Sequence, residues 1–165
     1  MHAANVSAAT FGRMIPGVHL AQHSVKPAII MANSGFTQTY AELDAAANRL
    51  SRLLRAAGLN PGDHIAICME NHPWYHALSW GAQRSGLHYV CISSRLTPPE
   101  IAYILEDSGA KILFSSAYLA GTMDEVAQLA PQVPQLRFGV DAEAALATMP
   151  ETPIADERAG VDMLY

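Results

Sequence analysis

From Pro61 onward the chain alternates short apolar runs with longer amphipathic ones, and no other feature narrows the choice of fold as far. His64-Ile65-Ala66-Ile67-Cys68-Met69, His88-Tyr89-Val90-Cys91-Ile92 and Lys111-Ile112-Leu113-Phe114-Ser115 read as buried strands, with Leu136-Arg137-Phe138-Gly139-Val140 as a candidate fourth. Helical spacing fills the intervals. One helix is predicted from a cap at Asn71 or His72, with Pro73 near its first position, to Gly86. A second follows the capping box Thr97-Pro98-Pro99-Glu100 and ends at Ser108-Gly109; a third spans Ala117 to Ala130, closed by Pro131. Near-continuous apolar strands need cover on both sides. The expected architecture is therefore α/β, a doubly wound parallel sheet of βαβ units with helices on both faces and right-handed crossovers.

The flanks are read by local chemistry. Ala28-Ile29-Ile30-Met31 and Phe36-Thr37-Gln38 enclose Asn33-Ser34-Gly35, a turn composition, and predict a hairpin. Thr39-Tyr40-Ala41-Glu42 has capping-box spacing and opens a helix. On that helix Leu43, Ala47, Leu50, Leu54 and Ala57 form one apolar stripe, Arg49, Arg52 and Arg55 face the other way, and Gly58 stops it. Residues 1–27 show no sustained period and read as a loose lead-in. Downstream, Asp141 to Thr148 is a short helix, Pro150 and Pro153 mark a linker, and Gly160 to Tyr165 starts another strand. The chain divides into a lead-in and hairpin strand (1–35), a βαβ-type portion (36–149) and a linker with a leading strand (150–165). An unpaired apolar strand is an unusual end for a domain, because an open edge invites aggregation, so the sequence is expected to be interrupted there.

Composition excludes several classes of function. Hydrophobic residues make up 50% of the 165 and charged residues 15%, which rules out disorder. Ten Lys and Arg against fifteen Asp and Glu give a net charge of −5, and no basic cluster supplies the cationic face of a nucleic-acid binder. Such sparse charge leaves apolar surface for a partner or for more of the same chain, and a homodimer through a sheet edge or helix face is one expectation. Cys68 and Cys91 make no metal or redox motif and are read as two buried free thiols in a reducing compartment. No run approaches the roughly 18 apolar residues of a membrane helix. Met1-His2-Ala3-Ala4-Asn5 lacks the basic region of a signal peptide, so a cytoplasmic location is expected.

In a doubly wound sheet, ligands bind beyond the carboxyl ends of the strands. No Gly-x-Gly-x-x-Gly, phosphate-binding Gly-rich loop or Gly-x-Ser-x-Gly elbow follows any strand, and no catalytic residue is assigned. His72 and His76 share one helix face, but a metal needs three or more ligands and none join them, so no metal site is assigned. Trp74, Tyr75 and Trp80 are read as packing aromatics. Arg95, in Ile92-Ser93-Ser94-Arg95-Leu96, follows a strand and precedes a helix N-terminus, on the rim where a guanidinium suits phosphate. Its alternative role is a surface pair with Glu100.

Three stretches carry a family resemblance. They are Thr39-Tyr40-Ala41-Glu42-Leu43 with Asn48-Arg49-Leu50 and Pro61-Gly62-Asp63; Glu70-Asn71-His72-Pro73 with Gly86-Leu87-His88-Tyr89-Val90 and Arg95-Leu96-Thr97; and Glu100 to Leu105 with Asp107-Ser108-Gly109-Ala110. In order and spacing they resemble the N-terminal region of the AMP-forming adenylating enzymes, which include acyl-CoA synthetases, luciferases and peptide-synthetase adenylation domains. Arg84-Ser85-Gly86-Leu87 and Tyr89 lean toward the fatty-acyl-CoA synthetases.

The resemblance implies an acid–CoA ligase using a fatty or related carboxylic acid, ATP, Mg2+ and CoA. It places Arg95 as a cofactor-binding residue near CoA phosphates, although Ser93-Ser94 stands where relatives often have Asn-Pro. It also implies that a Ser/Thr/Gly-rich phosphate loop follows a strand similar to Asp162-Met163-Leu164-Tyr165, so the chain alone is expected to be inactive. The alternatives are adenylation of an amino or aryl acid for a carrier protein, and a non-catalytic α/β interaction module.

Overall fold

A computed structural model describes residues 16–164; Tyr165 and the part of the lead-in before Pro16 lie outside the described residues. A 3-10 turn at Pro16–His19 runs into α1 (Leu20–His23), and β1 (Pro27–Ile30) pairs antiparallel with β2 (Thr37–Thr39) as the predicted hairpin. α2 (Tyr40–Ala56), β3 (His64–Cys68), α3 (Tyr75–Arg84), β4 (His88–Ile92), α4 (Pro98–Ser108) and β5 (Ala110–Ser116) follow. A 3-10 turn at Ala117–Leu119 then leads to α5 (Ala120–Leu129), β6 (Gln135–Phe138), α6 (Ala142–Ala147) and β7 (Val161–Met163). Five strands form one all-parallel sheet in the order β6-β5-β3-β4-β7.

Period-two alternation sends the strand residues to two cores. On one face Ile65, Ile67, Ile112, Phe114 and Phe138 pack under Leu50 and Leu54 of α2, Leu78 and Ala82 of α3, and Ala142 and Leu146 of α6. On the other, Ala66, Cys68, Val90, Ile92 and Leu113 meet Ile101, Ile104 and Leu105 of α4, with Met123 and Val126 of α5. The sheet is thus doubly wound, as expected. The hairpin stays outside it, with Ala28 and Ile29 against Leu43 and Ala46 of α2 and Ala77 of α3.

Local chemistry fixes the helices. The Glu42 carboxylate accepts from the Thr39 N–H at 2.7 Å while the Thr39 hydroxyl accepts from the Glu42 N–H at 3.3 Å, so both halves of the capping box form. Glu100 repeats the first half at α4, accepting from the Thr97 N–H at 2.8 Å. α2 and α3 touch at Gly81, where a Cβ would lie 2.7 Å from Leu50 Cδ2 and 2.8 Å from the Ala47 carbonyl oxygen. Only glycine permits that approach, and the Ser51 hydroxyl donates across it to the Gly81 carbonyl at 3.0 Å.

Several expectations are corrected. α3 starts at Tyr75, not at Asn71 or His72, and its N-cap Trp74 has no side-chain cap bond. Residues 72–75 instead make a turn, with the Tyr75 N–H donating to the His72 carbonyl at 3.0 Å. The predicted 117–130 helix opens as a 3-10 turn before α5 begins. Ala57 leaves the apolar stripe because it is the exposed C-cap of α2. Cys91 is exposed while Cys68 is buried. They are offset by one register step on neighbouring strands, so they point to opposite faces, and Cys91 opens onto a cleft rather than into a core.

Candidate functional site

Chain direction sets where a crevice opens. The connection after β3 leads to β4 and the one after β5 leads to β6, toward opposite edges of the sheet. Ligands collect where neighbouring connections diverge in this way. Between the ends of β3 and β5 the Ser116 hydroxyl donates to Glu70 Oε2 at 2.5 Å and ties the two loops together. One strand over, the carboxyl ends of β3 and β4 open into a cleft of about 550 Å³ whose walls include Glu70, Asn71, Tyr75, Cys91, Ser93 and Arg95.

Arg95 stands at the rim of this cleft, exposed, and among the described residues its side chain has no hydrogen bond or ion pair. The pair with Glu100 does not form, because Glu100 is committed to Thr97: its Oε2 also takes the Thr97 hydroxyl, at 2.7 Å. The loop carrying Arg95 is shaped locally. The Ser93 hydroxyl accepts from the Arg95 N–H at 3.3 Å, a serine turn. Ser93 also offers its carbonyl to Cys68 Sγ at 3.9 Å. Burial, then the nearby Glu70 carboxylate, push the Cys68 thiol up to about 11, so Cys68 stays protonated and unreactive at neutral pH.

Tyr75 forms the wall toward α3, and its hydroxyl shares a hydrogen bond with Cys91; burial, then that bond, raise its pKa well above the usual phenol range. His72 and His76 lie beyond Tyr75 in a second crevice, beside Ile29, Ile30 and Met31 of the hairpin. His72 spends Nδ1 accepting the Trp74 N–H at 3.3 Å, with its ring 5.4 Å from that of Phe138. Burial holds His72 below the ordinary imidazole pKa, with Glu70 and Glu143 opposing. Among the described residues no group of three or more His, Cys, Asp or Glu is placed to hold a metal ion. Trp74 stacks on Phe138 at 5.1 Å, and Trp74 and Trp80 pack against Leu43, Ala46 and Ala77.

The cleft beyond the parallel strands thus carries one exposed guanidinium, that of Arg95, on its rim. The profile of the AMP-binding enzyme family matches residues 18–161, and the chain belongs to that family. The fatty acid–[acyl-carrier-protein] ligase ScoC of Streptomyces coeruleorubidus is 40% identical over 95 residues, covering 57% of this chain and 18% of the relative. The 3-hydroxybenzoate–CoA ligase of Aromatoleum sp. (strain CIB) is 29% identical over 147 residues, covering 85% of this chain and 28% of the relative. A crystal structure of the N-terminal domain of FACL13 from Mycobacterium tuberculosis superposes with a TM-score of 0.76 at 29% identity, covering 85% of this chain and 36% of that one. The chain spans less than a third of the length of these two curated relatives.

Proposed function

We propose that this chain is the leading part of an acid–CoA ligase that activates a fatty or related carboxylic acid. A carboxylate oxygen attacks the α-phosphorus of ATP, pyrophosphate leaves, and the acyl-adenylate is then opened by the CoA thiol with loss of AMP. The family match over residues 18–161 carries this reading. The fatty acid is supported by the 40% identity to ScoC, whose own name specifies a carrier protein as acceptor; that relative favours carrier-protein transfer as the second reading. Mg2+ would enter with the ATP phosphates, and no residue of this chain is given a role in holding it.

In this reading Arg95 binds a phosphate of CoA. Its support is an exposed, unpaired guanidinium on a loop braced by Ser93, at the carboxyl end of β4. No residue of this chain is assigned a bond-making role, and the 165 residues alone are inert in the same proposal because no phosphate-cradling loop stands among them. Self-association of the isolated chain through an exposed sheet edge or apolar helix face, with Val161 and Leu164 among the exposed apolar residues, and a cytoplasmic location complete it. No helix among the described residues is long and apolar enough to cross a membrane.

The test is carboxylate-dependent exchange of pyrophosphate into ATP, run on the complete gene product and on the 165-residue chain with fatty acids and hydroxybenzoates. Exchange by the complete product with fatty acids, followed by CoA thioester formation, is expected. Exchange by the 165-residue chain overturns its inertness, and acyl transfer to a carrier protein in place of CoA overturns the acceptor.

A further inference from the structure

Between α6 and β7 the chain crosses the outer side of α2 and the end of α3 as an extended strap, and its attachments differ in kind from the rest of the molecule. From residue 150 to residue 159 only Ile154 is buried. Arginines do the holding. Arg49 pairs with Glu151 at 2.5 Å. Arg52 donates to the carbonyls of Thr152 at 3.0 Å and Pro153 at 2.5 Å. Arg55 pairs with Asp156 at 3.1 Å and donates inward to the Ser85 carbonyl at 2.7 Å. Arg84, itself buried against Asp44 and Asn48, lies 3.5 Å from Glu157. Two backbone bonds finish the attachment, Arg158 N–H to the Arg84 carbonyl at 2.9 Å and Gly160 N–H to the Gln83 carbonyl at 2.7 Å. Directly after them β7 pairs with His88, Tyr89 and Val90 of β4.

We infer that the strap is an electrostatic latch: the arginines of α2 and α3 hold it, and when screened they release strap and β7 as one unit while β6-β5-β3-β4 stays closed. The four remaining strands keep every buried residue of both apolar cores, because from the strap and β7 only the partly buried Met163 packs against one of them. Release opens the β4 edge at His88, Tyr89 and Val90, so the latch decides whether that edge is occupied by the chain's own β7. Exposed ion pairs are the contacts most weakened by salt, and apolar burial is not, which separates the two parts experimentally.

Hydrogen-exchange mass spectrometry on the complete protein tests this. It compares peptides covering 149–163 with peptides covering β3 and β5, at about 0.1 M and about 1 M sodium chloride, between which the screening length falls from about 10 Å to about 3 Å. The strap and β7 are expected to exchange about tenfold faster at the higher salt while β3 and β5 hold. A Glu151→Gln, Asp156→Asn variant, altered only at exposed strap positions, is expected to exchange fast at both salts. Strap protection indifferent to both salt and substitution overturns the latch. Strap and core strands accelerating together overturn the claim that they open separately.

Discussion

Strand β5 is fixed from both sides by apolar contacts, Phe114 under α2 and α3 and Leu113 under α4 and α5, whereas the strap before β7 buries Ile154 and otherwise hangs on arginine side chains and two backbone hydrogen bonds. Apolar burial is non-directional and repeats with the period of the element, so it tolerates small shifts and survives salt. The strap's contacts are directional, and those made by Arg49, Arg52 and Arg55 join residues about a hundred positions apart. The sheet is therefore held by its two cores, and in the proposed latch the strap sets whether β7 stays in place.

The comparison breaks hardest where both regions share one support. Phe114→Ala removes a fully buried ring from the core under α2 and α3 and is expected to cost about 4 kcal/mol in urea unfolding, with sheet and strap losing exchange protection together. Arg84→Ala reaches both regions from the strap side. It leaves Asp44 buried without its cation at 2.6 Å and unhooks Glu157, at an expected cost of about 3 kcal/mol. Gly160→Ala sharpens the contrast, since a Cβ there would stand 2.0 Å from the Leu87 carbonyl oxygen. A loss of about 2 kcal/mol is expected, read as faster exchange in β7 with β3 and β5 unchanged.

The smallest effect is a pH dependence that comes from the sheet and the turn beside it, not from the strap. His64 and His88 stack at the amino ends of β3 and β4 with centroids 4.7 Å apart. Burial, then the neighbouring His88, lower the His64 pKa, and burial lowers that of His72. Both imidazoles thus bind protons more readily unfolded than folded. Stability is full above the ordinary imidazole pKa and is lost as pH falls through the lower folded values. Urea titrations at falling pH are expected to show this decline, and His64→Gln to flatten it.

Much of the sheet was legible because its signals are local. Capping boxes at Thr39 and Thr97 and the apolar runs of β3, β4 and β5 each lie within a few consecutive residues, and the elements formed where those signals stand. The start of α3 was misplaced because Asn71, His72 and Pro73 are good cap chemistry, yet the chain first makes a turn at His72 that aims the Trp74 ring at Phe138. Arg49, Arg52 and Arg55 were correctly set opposite the apolar stripe, but nothing near them in sequence names their partners at 151–156. At the cleft, Arg95 could be read from its position after a strand. The Ser93 turn, the Tyr75–Cys91 bond and the Glu70–Ser116 tie could not, because each depends on how loops from different strands converge.

Arg95 is where the functional reading is most directly exposed to test. In the complete protein, Arg95→Ala is to be compared with wild type in both half-reactions, pyrophosphate exchange and thioester formation, the latter with CoA and with dephospho-CoA. The account predicts unchanged exchange and a KM for CoA raised about tenfold, the size of one lost charge-assisted contact. It also predicts that wild type, but not the variant, prefers CoA over dephospho-CoA, if the contact is to the 3′-phosphate. An unchanged KM for CoA alongside intact exchange would contradict it and leave Arg95 a solvated side chain on the rim.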